Sequence, residues 1–151
     1  MAHSSRAALL VAISALLTPL VHADTLWHWR YEGQDIHASG TFTASDTADA
    51  AGFHRVTGIS GERNGDAVTG LYPAGQAIPG NEPYAVDNLV RPGDKGQLTL
   101  HGFGFALASG AHANPFFDPA RPAPGYMEVL ITPAGFREQP VRFSAAPAGK
   151  P

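Results

Sequence analysis

The side chains in this sequence that could do chemistry are scattered. His28, His37, His54, His101 and His112 fall on separate stretches, with neither an H-x-H pair nor an H-E-x-x-H helix among them. There is no cysteine, so thiolate metal sites and Cys–His catalysis are excluded. The carboxylates are grouped more closely. "SDTADAAG" places Asp46 and Asp49 in one loop, and "NEPYAVDN" gathers Asn81, Glu82, Asp87 and Asn88. Calcium takes several hard oxygen ligands, but neither segment has the spacing of an EF-hand loop. The simpler expectation is that Asp46 caps its own turn, with structural calcium as the alternative. No G-x-S-x-G elbow is present, and "GISG" only sets glycines around Ser60. Ser60, His54 and Asp66 make a triad on paper, and Glu62 with Glu128 a carboxylate pair, but no spacing favours either. "GFGFAL" lacks the third glycine and the helix of a dinucleotide fingerprint. The sequence therefore assigns no catalytic residue, no metal ligand and no cofactor.

Two features could bind without catalysing. In "TLWHWRYEG", Trp27, Trp29 and Tyr31 recur every second residue and so share one face of a strand. Buried, they are core; exposed, they are a platform on which sugar rings stack. In "YAVDNLV", Asp87 and Asn88 interrupt an apolar run, either as ligand contacts or as a structural lock.

The elements that would position these residues read as strands. Glycine and proline are frequent, at 17 and 13 residues, and no apolar stretch keeps a helical period for three turns. Strand patterns occur at residues 25–32, 35–43, 53–63, 66–72, 84–90, 97–108, 126–132 and 140–143. Asn64-Gly65 predicts a hairpin with a type I′ turn, and "RPGDKG" a second hairpin loop. Residues 73–83 and 111–124 read as irregular connections. In "LTLHGFGFAL", Leu98 and Leu100 fall out of phase with Phe103, Phe105 and Leu107. A β-bulge at His101-Gly102 would return all of them to one side, with Asn88 satisfying the backbone group it orphans. Asp87 would then accept from backbone N–H groups. About eight short antiparallel strands predict an all-β fold, a sandwich or a closed barrel.

The ends and the charge place the molecule. A short basic start at Arg6, an apolar stretch over residues 7–21 and the small-residue site Val21-His22-Ala23 predict a signal peptide of residues 1–23. A single domain would follow over residues 24–144, then a disordered tail over residues 145–151. The mature chain has no segment apolar enough to span a membrane. A net charge of −3 with dispersed basic residues is a poor footprint for nucleic acid.

The succession "GTFTASD", "FHRVTGISGERNG", "VTGL", "YAVDNLV", "QLTLHGFGFALASG" and "NPFF" resembles a group of small secreted β-rich bacterial proteins. Members often carry PEP-CTERM sorting tails, associated with exopolysaccharide producers. The resemblance covers roughly residues 40–117, and its motifs are structural. The terminal "PAGKP" lacks the apolar span and arginine cluster of such a tail, so the resemblance implies free release or a periplasmic location. The expectation is a secreted or periplasmic non-catalytic protein that binds polysaccharide, with Trp27, Trp29, Tyr31, Asp87 and Asn88 as candidate contacts. The alternatives are a small β-barrel enzyme or metal-binding protein using the scattered His and Asp residues, and a structural envelope protein.

Overall fold

A computed structural model describes residues 23–94, 96–121 and 125–149. The expected signal peptide, save Ala23, and the last two residues of the expected tail lie outside the described residues. The chain forms β1 (Asp24–Gly33), β2 (Ile36–Ser45), β3 (His54–Arg63), β4 (Asp66–Leu71), β5 (Leu89–Val90), β6 (Phe105–Leu107), β7 (His112–Phe117), β8 (Tyr126–Thr132) and β9 (Gly135–Pro147). No helix occurs among the described residues. The strand order is β2-β1-β9-β8-β7-β6-β4-β3, and β3 pairs back onto β2. All these pairings are antiparallel, so the eight strands close into a barrel. β5 is a short addition beside the start of β3.

Closure is local chemistry repeated. Asn64 and Gly65 adopt φ of 50° and 80°, the conformation a type I′ turn requires, and join β3 to β4. Asp35, at φ 55°, serves the turn between β1 and β2. β9 closes the wall by serving two neighbours in succession: its first half pairs with β8, and residues 141–147 pair with β1. β2 and β3 press together where Gly40 faces Gly61. A Cβ added to Gly40 would lie 2.0 Å from the Ser60 carbonyl oxygen, so only glycine permits that approach.

Alternation fills the interior. Trp27, Trp29 and Tyr31 of β1 and Ile36, Ala38, Phe42 and Ala44 of β2 point inward, where they meet Phe103, Phe105, Tyr126 and Phe143. A second, smaller core lies outside the wall. There the connection after β4 lays Ile78 and Val86 over Val129 and Ile131 of β8. β8 is thus buried on both faces, which explains its nearly unbroken apolar sequence.

Several expected boundaries move. The stretch 84–90 reduces to β5 and a bridge from Ala85 to Ala77, and 97–108 to β6 plus a bridge from Leu98 to Val90. The connection expected over 111–124 contains β7, while the short strand expected at 140–143 is part of the 13-residue β9. β9 runs to Pro147, so Ala145, Ala146 and Pro147 belong to the barrel rather than to a disordered tail. The phase change between Leu98 and Phe103 is real, and Gly102 has φ 62°. Its form differs from a ladder bulge: residues 99–104 leave the strand, and Leu100 ends 58% exposed while Leu98, Phe103, Phe105 and Leu107 turn inward.

Candidate functional site

The aromatic stripe lies inside the barrel. Trp27, Trp29 and Tyr31 are at most 2% exposed, so the sugar-stacking platform they could have formed on the surface does not exist. Trp29 stacks on Tyr31 and meets Phe103 edge-on, while Trp27 stacks on Phe42. Both indole N–H groups lack a hydrogen-bond partner, a concession to an aromatic interior.

One end of the interior is polar. Glu128, inward from β8, accepts a bidentate pair from Arg63 Nε and Nη2 at 2.7 and 2.6 Å, and a hydrogen bond from the Tyr31 hydroxyl. Burial and the adjacent Glu128 carboxylate push the Tyr31 hydroxyl well above its ordinary pKa. Burial would lower the Arg63 pKa, but the hydrogen bonds and charge of Glu128 outweigh it and hold the guanidinium above its usual value. The sequence pattern did not single out this trio, because its members come from β1, β3 and β8.

Asp87 and Asn88 are locks. Asn88 is 2% exposed and adopts φ 54°. Its side chain donates to the Tyr72 carbonyl at 2.7 Å and accepts from Gly104 N at 3.1 Å. Its own carbonyl accepts from Val56 N at 2.8 Å, so one residue ties β3, the end of β4 and the approach to β6. Buried and with both amide atoms engaged in backbone bonds, Asn88 presents no side-chain group at the surface for a ligand. Asp87 is half-buried and accepts from Thr99 Oγ1 at 2.6 Å and Leu89 N at 3.2 Å, bonds that give it a structural role in this loop. Burial raises its pKa, against the opposing hydrogen bond from Thr99. Asn88→Ala is expected to cost about 1–3 kcal/mol in denaturant unfolding, because Gly104 N and the Tyr72 carbonyl lose their partner. A loss below about 0.5 kcal/mol would show that water replaces the amide.

Asn114 and Gln97 do similar work, and sequence reading missed both. Asn114 donates to the carbonyls of His101 and Phe103, at 3.1 and 3.0 Å. Gln97 donates to the Ala145 carbonyl at 2.7 Å and accepts from Ala145 N at 3.0 Å, imitating a strand partner for β9. Neither stands in an apolar run as Asn88 does, Gln97 following "GDKG" and Asn114 lying in "AHANP", so no local signal marked them.

The remaining candidates disperse. Among the described residues, no group of three or more His, Asp or Glu is placed to hold a metal ion. His54 bonds the Ser45 carbonyl, His101 the Ala85 carbonyl, and His112 packs edge-on against Tyr72. The loop after β2 is capped by Asp49, not Asp46: Asp49 accepts from Ala51 N and Phe53 N, both at 2.9 Å. Ser60 pairs with Thr41, and Asp66 accepts from Ser109 N, so no triad with His54 forms. Glu62 is exposed on the outer wall while Glu128 is buried inside it.

Among the described residues, the outside of β2, β1 and β9 offers a ligand a surface groove. Alternation that sends the aromatic rings inward sends His28, Arg30, Ser39, Thr41 and Ser144 outward. They border a groove of about 530 Å³. Trp29, Gly40 and Ala145 supply backbone to its floor, since their side-chain positions face the interior. The register sets Arg30 between Ser39 on one side and Ser144 on the other, and His28 beside Thr41. Arg30 Nε donates to Ser144 Oγ at 3.3 Å, and the Thr41 and Ser60 hydroxyls pair at 3.0 Å. The arrangement presents hydroxyl, imidazole and guanidinium groups on a rigid wall, and no nucleophile paired with a base. Among the described residues no helix is long and apolar enough to cross a membrane. Set beside known proteins, the chain matches no family model, no curated protein and no solved structure.

Proposed function

We propose that this is an exported, non-catalytic binding protein of the cell envelope or extracellular matrix. It holds polysaccharide along the outer groove over β2, β1 and β9. The observation that carries the reading is the row of outward Ser39, Arg30 and Ser144 beside Thr41 and His28, on strands that a packed aromatic core keeps rigid. Sugar hydroxyls need donors and acceptors at fixed positions. Groups ordered before binding lose less entropy when the ligand arrives. The interior is filled by Trp27, Trp29, Phe103 and Phe105, so binding falls to the surface.

A glycan array followed by thermal shift tests this. At least one polysaccharide should raise Tm, and Thr41→Ala with Ser39→Ala should weaken its binding without lowering the Tm of the free protein. Absence of binding to any glycan would overturn the reading. So would release of new reducing ends from a bound glycan, which would make the protein an enzyme.

A further inference from the structure

We infer that the groove is selective for carboxylated polysaccharide, with Arg30 as the principal anion contact and Arg142 as a second; this rests on the polysaccharide reading above. The chain as a whole is acidic, at net −3, yet the groove wall is not. His28 and Arg30 border it with no carboxylate in the lining. Arg30 has no acidic partner among the described residues. Its one side-chain hydrogen bond among the described residues, to Ser144, uses Nε and leaves both terminal amino groups to a ligand. The register puts Glu62 beyond Ser39, two strands away from Arg30, while Glu32, two residues along β1 on the same outer face, pairs with Arg142. A guanidinium held at one edge and free at the other suits bidentate capture of a carboxylate, which neutral sugar hydroxyls do not reproduce.

The groove also continues. Past Arg30 and Ser144 it runs into a depression bordered by Glu32 and Arg142, and on to Gly33 and Pro140. From His28 to Gly33 the strand rise makes this roughly 17 Å, a length that suits a polymer rather than a single sugar. Arg142 is 79% exposed, and its contact with Glu32 is 3.4 Å. Exposed pairs of this kind contribute little, so a ligand carboxylate can take the place of Glu32.

The test titrates the protein with polygalacturonate, neutral dextran and inorganic polyphosphate at low and raised salt. Polygalacturonate should bind at least about tenfold more tightly than dextran, and salt should narrow the gap. Arg30→Gln should lower polygalacturonate affinity by at least about tenfold and remove its preference over dextran on the same variant, with Tm unchanged because the side chain is exposed. Arg142→Gln should reduce the preference in part. Equal affinity for dextran and polygalacturonate, or a preference that survives Arg30→Gln, would overturn the inference and leave the polysaccharide reading standing. Polyphosphate binding as tightly as polygalacturonate, with no binding of dextran, would overturn both.

Discussion

Replacing Glu128 with glutamine is expected to lower stability by about 3–5 kcal/mol, because it leaves the buried Arg63 charge without its counter-charge. The carboxylate accepts from both Arg63 nitrogens and from Tyr31, and is 1% exposed. A neutral amide keeps one acceptor and adds a donor facing guanidinium donors. Urea unfolding at pH 7 reads the effect, and a loss below about 1 kcal/mol would mean that water reaches Arg63. The triple change Glu128→Leu, Arg63→Met and Tyr31→Phe should recover most of the loss, since it removes both charges with their desolvation cost and also the buried hydroxyl that Glu128 satisfies. The same trio gives stability an alkaline limit. The folded Tyr31 pKa is raised, so the folded state keeps a proton that the unfolded state releases near pH 10. The Tyr31 contribution is therefore intact below about pH 10 and is lost as pH climbs toward the folded value. Tyr31→Phe should flatten that limb, which a series of unfolding curves from pH 8 to 11 would show.

Trp29→Ala should cost a similar amount, about 3–5 kcal/mol. The ring is 2% exposed and contacts Tyr31, Phe103 and Phe105, with centroids 5.9, 6.1 and 5.7 Å away. Those neighbours are held in a closed wall and cannot collapse into the space, so most of the cavity penalty persists. Unlike a platform residue, Trp29 should have no separate effect on glycan binding in the fraction that stays folded. Acrylamide quenching of the native protein should be weak for both tryptophans. Strong quenching would contradict the burial on which this rests.

Much of the fold was legible wherever one chemical rule acts locally. Asn64-Gly65 announced its hairpin because only residues tolerant of positive φ make that turn. The alternation of Trp27, Trp29 and Tyr31 announced a strand face, though not whether it looked inward; that depends on closure, which no local rule contains. Asn88 was readable as a lock because an amide in an apolar run must find partners. The misses follow the same logic. β7 contains Pro115 and looks like a connection, yet Pro115 takes part through its carbonyl, which accepts from Phe103 N. β9 begins with exposed, charged residues and carries Pro140, so its length emerges only from the two strands it serves. The groove was invisible because Arg30, Ser39 and Ser144 are ordinary surface residues until three strands bring them side by side.

The double service of β9 also sets an order of events. Its register joins Arg30 to Ser144, positions 114 residues apart, and no earlier strand can take its place beside both β1 and β8. Until β9 has left the machinery that synthesises the chain, β1 and β8 remain open edges, able to pair with the wrong partner. Contacts this distant in sequence form slowly. The interval before closure is therefore when the molecule is most exposed to aggregation, and when a holding chaperone would serve it best.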